Sequence, residues 1–184
     1  MSVGLVYHPI YLEHDTGMHC ETASRLTTVM SYLKNVGTMD RMISIKPRAA
    51  TTEQISRVHA PSYISDVESF VKRGGGYLDG DTVASANSYE AAVYAAGGVI
   101  TAVDAVMSGD VTYSFALVRP PGHHATHSTA MGFCIFNNIA IAARDAIARY
   151  KLDRVMIVDF DVHHGNGTQD AFYSESSVLY FSTH

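Results

Sequence analysis

Two histidine-rich clusters, one of which also contains two aspartates, carry the residue types that proton transfer and metal binding require. The first, DFDVHHGNG at 159–167, follows the apolar segment Val155–Phe160. In an extended chain, residues i, i+2 and i+4 point the same way, so we predict that Asp159, Asp161 and His163 project together. Carboxylate and imidazole groups suit Zn²⁺ or another borderline divalent ion. The alternative is that both aspartates cap the following turn and the histidine packs in the core.

The second cluster is RPPGHHA at 119–125, which follows another apolar segment, Phe115–Val118. Two prolines restrict the backbone of this loop and a glycine lets it turn sharply, a combination that suits a loop holding His123 and His124 in a set geometry. Imidazole moves protons near neutral pH. Taken alone, a pair of solvent-exposed loop histidines is the simpler interpretation. In a parallel sheet, however, both clusters would open at the same edge, where α/β sheets place their sites.

A third segment, GFCIFNN at 132–138, carries a weaker signal. Phe133 follows a glycine and is a candidate for the wall of a channel. A phenylalanine is more often simply part of the core, so this segment alone predicts little.

The elements that must position these clusters alternate between apolar strands and amphipathic or buried helices. The predicted strands are Val3–Tyr7, Ile43–Ile45, Phe115–Val118, Val155–Phe160 and Val178–Ser182. The predicted helices are Arg25–Lys34, one capped by Thr51 or Thr52, one capped by Ser62, Ser88–Met107, one from Cys134 or Asn137 to Tyr150, and Thr168–Tyr173. Residues 74–87 are predicted to be a loop. This alternation favours a parallel sheet in an α/β layer fold, and we predict one domain over residues 1–184.

Composition excludes several classes of protein. The 184 residues are 47% hydrophobic and 17% charged, as in an ordinary globular domain. The net charge of −5 and the lack of a basic stripe predict no direct binding to nucleic acid. Two isolated cysteines, Cys20 and Cys134, favour a reducing compartment, and we expect a cytoplasmic protein. With no signal-peptide pattern and no run of about 18 apolar residues, we predict no membrane association. Oligomeric state is left open.

Taken together, RPPGHHA, GFCIFNN and DFDVHHGNGTQ resemble the histone deacetylase family, including its prokaryotic relatives and the acetylpolyamine amidohydrolases. GGGYLDGDT at 74–82 and AAGG at 95–98 are also similar to the prokaryotic and class II branch. The resemblance covers essentially the whole chain. It implies an arginase/deacetylase-like fold, with a mainly parallel sheet between helices in three α/β/α layers. This chain would be the N-terminal portion of that fold, with the C-terminal part missing.

The resemblance also implies roles for the two histidine clusters. Asp161 and His163 would be ligands to zinc, or to ferrous iron. His124 would be the main base toward the attacking water, and Asn166 would orient it. His123 would be a supporting electrostatic group.

Further roles implied by the resemblance lie around these groups. Asp159 would orient the first histidine of the pair and, with backbone groups near Ser182 and Thr183, bind a structural potassium ion. Asp81 would hold the substrate backbone. The residues that would line a tunnel for the acyl-lysine stem are Gly132 and Phe133.

The implied activity is zinc-dependent removal of acetyl groups from acetyl-lysine side chains of proteins. Acetylated polyamines or other small amides are the alternative substrates, and net charge does not discriminate between them. The family also uses a later aspartate as third ligand and, in most members, a later tyrosine, and neither can be assigned in this sequence. We therefore expect the 184-residue piece alone to bind zinc poorly and to be almost inactive. A truncated, non-catalytic binding module is the third hypothesis.

Overall fold

The computed structural model describes all residues from 1 to 184 as alternating strands and helices. The strands are β1 (Val3–Val6), β2 (Met42–Ile45), β3 (Gly76–Tyr77), β4 (Val83–Ala84), β5 (Tyr113–Ala116), β6 (Val155–Asp159) and β7 (Val178–Ser182). The helices are α1 (Ser24–Asn35), α2 (Thr52–Ile55), α3 (Pro61–Lys72), α4 (Ser88–Met107), α5 (Asn138–Tyr150) and α6 (Asn166–Phe172). Short 3₁₀ turns occupy Pro9–Leu12 and Met39–Arg41.

Parallel pairing dominates the sheets, as predicted. The strand β1 lies between β2 and β5 and is parallel to both, and β6 is parallel to β7. The two parallel groups are not hydrogen-bonded to each other in this chain. The loops that follow β5 and β6 nevertheless meet, because His123 contacts Asp159.

One face of the β6–β7 pair is apolar and open to solvent. Ile157 and Val178 point into the core and are buried. The opposite face consists of side chains that are all at least half exposed, namely Met156, Val158, Leu179 and Phe181. Because side chains alternate along a strand, this pair is built to be covered on both faces.

The helix α4 runs through the centre of the molecule and packs against α5, β1 and β5. By length and composition it is the one helix that could cross a membrane, although Glu90 and Asp104 interrupt its apolar residues. Its alanine-rich surface is buried in the core. A Cβ atom on Gly97 would lie 2.0 Å from the carbonyl oxygen of Arg48, and one on Gly98 would lie 2.6 Å from the hydroxyl of Tyr11. These close approaches explain two glycines in mid-helix.

Several predicted boundaries differ from the structure. The helix α2 is capped by Thr51, which forms a capping box with Gln54. The helix α3 is preceded by Ala60 and begins with Pro61 at its first position, so the prediction of Ser62 as N-cap is wrong. Proline suits the first helical position because its fixed φ is already helical and its missing N–H has no partner there.

The segment 74–87 is also more ordered than the predicted loop. It contains the antiparallel hairpin β3–β4, in which the N–H of Leu78 donates to the carbonyl of Thr82 at 2.8 Å. Strands of two residues leave no detectable period in the sequence. The prediction that a helix begins at Thr168 is wrong by two positions, because α6 already begins at Asn166.

Two buried histidines predict acid sensitivity. His14 and His59 are 1% and 0% exposed, and burial, aided at His14 by the charge of Arg119, lowers the pKa of each to about 4. Their folded-state pKa lies below the unfolded value, so their contribution to stability is complete above about pH 6.5 and is lost as the pH falls toward 4. We expect the unfolding free energy from urea titrations to fall by roughly 3 kcal/mol per histidine across that window.

A double variant, His14→Gln with His59→Gln, is the control for this pH dependence. It is expected to be less stable at pH 7 but to lose less stability between pH 6.5 and pH 4.5. Parallel pH profiles for the variant and the wild type would show that other groups cause the acid sensitivity.

Candidate active site

A pocket of about 400 Å³ collects most of the residues that the sequence singled out. The predicted residues that line it are Asp81, His123, His124, Gly132, Phe133, Asp161 and His163. They come from the β3–β4 hairpin and from the loops after β5 and β6. The sequence separations among them are large, so the pocket exists only because these loops meet at one edge of the fold.

His123 is held from behind by an ionised carboxylate. Its Nδ1 lies 2.9 Å from Oδ2 of Asp159, and because a carboxylate only accepts, we assign the proton to Nδ1. The hydroxyl of Tyr180 donates to the same oxygen at 2.8 Å. Burial raises the pKa of Asp159, but the hydrogen bonds from His123 and Tyr180 outweigh it and hold the pKa below its usual value. The carboxylate of Asp159 therefore places a negative charge next to Nδ1 of His123.

His124 has a neutral partner instead. Its Nδ1 lies 2.7 Å from Oδ1 of Asn166, whose Nδ2 faces Sδ of Met131 at 3.4 Å. Since an amide oxygen only accepts, we assign the proton to Nδ1, which leaves Nε2 of the neutral ring free to take a proton. The backbone of Gly132 passes so close that a Cβ atom there would lie 2.3 Å from the ring of His124.

The predicted extended arrangement of Asp159, Asp161 and His163 is wrong. The strand β6 ends at Asp159, and Oδ1 of Asp159 accepts the backbone N–H of Asp161 at 3.2 Å. Oδ1 of Asp161 likewise accepts the backbone N–H of His163 at 2.8 Å. Aspartate side chains stabilise such turns at the expense of extended structure. Both carboxylates thus cap the turn, as in the alternative interpretation, while Asp161 and His163 still line the pocket.

The donor set for a metal ion is partial in this chain. Oδ1 of Asp161 and Nδ1 of His163 lie 3.1 Å apart, and the side chains are 49% and 68% exposed. Burial raises the pKa of Asp161, but the backbone N–H of His163 and the nearby imidazole of His123 outweigh it and lower that pKa, so the carboxylate is ionised and ready to bind a cation. No three or more histidine, cysteine, aspartate or glutamate side chains are arranged so that they could hold a metal ion together. Carboxylate and imidazole fit zinc as two of its usual three protein ligands.

The residues implied for potassium are brought together at the carboxyl ends of β6 and β7. Asp159 pairs with Ser182 in the parallel register, and the N–H of Thr183 donates to the carbonyl of Asp159 at 2.9 Å. The ion itself stays a prediction.

A sequence model of the histone deacetylase domain matches residues 19–184. The chain belongs to the histone deacetylase family. Its fold matches that of a solved relative described as the HDA15 HD domain, with a TM-score of 0.95 and 38% identity over 100% of this chain and 53% of the other. The predicted arginase/deacetylase-like α/β fold is therefore confirmed.

Named relatives of this histone deacetylase chain fall into three groups. A probable deacetylase of Methanothermobacter thermautotrophicus is 38% identical over 98% of this chain and 53% of its own length. Human histone deacetylase 9 is 37% identical over 100% of this chain and 21% of its own length. The polyamine deacetylase HDAC10 of Rattus norvegicus is 40% identical over 100% of this chain and 33% of its own length. The chain thus spans about half the length of the archaeal relative.

Two features beside the pocket were not predicted from the sequence. The first is the hydrogen bond from the hydroxyl of Tyr180 to Asp159. The only indication of it in the sequence was that Tyr180 lies on a predicted strand, two residues before Ser182. Arg119 and Glu21 form a buried bidentate ion pair, with Nε–Oε1 and Nη2–Oε2 distances of 2.7 and 2.8 Å. A buried ion pair has no local sequence pattern, because its partners lie far apart along the chain.

Proposed function

We propose that the protein containing this chain is a zinc-dependent amidohydrolase that removes acetyl groups from acetyl-lysine side chains of proteins. The observation that carries this proposal is the pairing of His123 with Asp159 and of His124 with Asn166 in a pocket that also holds Asp161. Relatives named as deacetylases support the reaction class.

The two histidines have distinct roles in this proposal. When bound, the metal ion would polarise the amide carbonyl and lower the pKa of an attacking water. Asp161 and His163 would hold it. Nε2 of His124 takes the proton of the water and later donates a proton to the leaving amine, which gives acetate and a free amine. His123, with the charge of Asp159 behind it, stabilises charge that develops beside the reacting atoms.

The substrate stem would occupy the pocket between Gly132, Phe133 and the hairpin that carries Asp81. The four-carbon stem of lysine is apolar and packs well against an aromatic ring, while its backbone stays outside. Asp81, which is exposed, would accept N–H groups of a peptide substrate.

We further propose that the remaining machinery comes from sequence beyond these 184 residues. Two protein donors are fewer than the three usual at catalytic zinc, and no tyrosine of this chain is assigned to the oxyanion. Asp159, Ser182 and Thr183 would support the site through potassium. The 184-residue chain alone would then be at least 10²-fold less active than the whole protein, the typical effect of one lost oxyanion donor.

Deacetylation of polyamines is the second candidate. It is favoured by 38–40% identity to three mammalian polyamine deacetylases. Two acidic residues of the hairpin, Asp79 and Asp81, would attract a cationic polyamine.

The test is to sequence the coding region past His184 and to assay the whole encoded protein. We expect hydrolysis of acetyl-lysine peptides that is lost with a chelator and restored by Zn²⁺ or Fe²⁺. Faster hydrolysis of acetylspermidine than of any peptide would favour the polyamine function. An open reading frame that ends at His184, or a metal-loaded whole protein without amidase activity, would contradict the enzyme and leave a binding module.

A further inference from the structure

The turn between β3 and β4 is held by a single carboxylate. Oδ1 of Asp79 accepts the backbone N–H of Asp81 at 3.0 Å and that of Thr82 at 2.7 Å. The hairpin is closed by the bond from Leu78 to the carbonyl of Thr82. The backbone on both sides of Asp81 therefore has a defined conformation, which places Asp81 on the pocket wall.

Thr82 joins this turn to Phe133, another residue that lines the pocket. Its side chain is fully buried, and its hydroxyl accepts the backbone N–H of Phe133 at 3.0 Å. The same hydroxyl donates to Oδ1 of Asp81 at 3.3 Å. A threonine hydroxyl has one proton, which here is directed toward the turn, while its oxygen is the acceptor for Phe133. One oxygen atom of Thr82 thus links Asp81 to Phe133, which lies 51 positions beyond Thr82 in the sequence.

Phe133 depends on such a link because its backbone is strained. It has a φ of +68°, the left-handed conformation that a bulky residue rarely adopts. Conformations of this kind persist only where the surroundings enforce them. Phe133 is held by the Thr82 hydroxyl on its N–H and by the ring of His19, which meets it edge-on at 4.6 Å.

We propose that Thr82 is a positioning residue that couples the substrate-holding Asp81 to the pocket wall at Phe133. The inference rests on the proposed function for its catalytic consequence, and on the hydrogen bonds alone for its structural part. Through the Thr82 hydroxyl, a peptide held by Asp81 also stabilises the position of the Phe133 ring. A small acetylated alkylamine, which does not reach Asp81, gains less from this coupling.

Thr82→Val tests this coupling in the whole protein, because valine keeps the shape of threonine and removes the hydroxyl. We expect KM for an acetyl-lysine peptide to rise about tenfold while kcat stays within about threefold, the effect of losing about one hydrogen bond at binding. For an acetylated alkylamine we expect KM to rise by about threefold or less. Thr82→Ser keeps the hydroxyl and is expected to behave like the wild type. Thr27→Val, on the exposed surface of α1, controls for the substitution itself.

Amide hydrogen exchange supplies a readout that does not require activity. The Phe133 amide is expected to exchange about tenfold faster in Thr82→Val and at the wild-type rate in Thr82→Ser. Unchanged KM and exchange in the valine variant, or equal defects in both variants, would overturn the proposal. If the wild type lacked amidase activity, the proposed function would fail, while exchange at Phe133 would still decide whether Thr82 holds it. Should the valine variant not fold, Thr82→Cys, whose thiol is a poor acceptor, replaces it.

Discussion

Replacement of His124 by alanine lowers kcat of the whole protein by an expected factor of about 10²–10⁴ and changes KM little. The structure gives the reason, because Nδ1 of His124 is occupied by Asn166 and Nε2 is the nitrogen left free to move a proton. The neighbouring His123 is bonded to the charged Asp159 and occupies a different position, so it does not substitute. Steady-state kinetics with an acetyl-lysine peptide measure the effect.

His127→Ala is the matched control. His127 lies in the loop that follows His123 and His124, and its Nδ1 faces the carbonyl of Val58 at 2.6 Å, outside the pocket. We expect activity close to that of the wild type. A His124→Ala protein that is folded and retains kcat within about threefold would rule out His124 as the base, since general-base contributions are typically at least 10².

Loss of the Glu21 charge is expected to have the largest effect on stability of any single substitution considered. Glu21 and Arg119 are almost fully buried, and Nη1 of Arg119 also donates to the carbonyl of Tyr11 at 2.9 Å. Burial raises the pKa of Glu21, but Arg119 outweighs it and lowers that pKa, so both groups are charged. Glu21→Gln leaves a buried guanidinium without its counter-ion, and we expect a loss of about 3–5 kcal/mol in the unfolding free energy measured with urea.

The exposed partner of the same carboxylate provides the control. Nη1 of Arg25 lies 3.2 Å from Oε1 of Glu21, but the Arg25 side chain is 57% exposed. Arg25→Gln is expected to cost less than about 1 kcal/mol, because solvent screens the exposed guanidinium and Glu21 keeps Arg119 as its partner. The double variant Glu21→Leu with Arg119→Met should recover part of the stability lost in Glu21→Gln. Equal losses in Arg25→Gln and Glu21→Gln would contradict the assignment of the buried pair.

The sequence was sufficient for features that depend on local pattern. The bounds of α4 and β7 follow from continuous apolar runs, and the structure places both where the sequence predicted them, at Ser88–Met107 and Val178–Ser182. The grouping of His124 with Asp161 could also be anticipated, because the loops after parallel strands open at one edge of a sheet. The start of α3 was harder to predict, because serine favours the N-cap position and proline favours the first helical position, and Pro61 and Ser62 are adjacent.

Tertiary packing settled the direction of individual polar groups. Oδ2 of Asp159 contacts His123 and Tyr180, whereas Oδ1 accepts the backbone N–H of Asp161. Arg119 pairs with Glu21, which lies 98 positions away in the sequence. An aspartate can cap its own turn, bind a cation or hold a distant imidazole, and these choices differ by only a few kcal/mol. Which one prevails depends on the groups that folding places within about 3 Å of the carboxylate. A local sequence pattern does not encode those distances, because the groups come from distant parts of the chain.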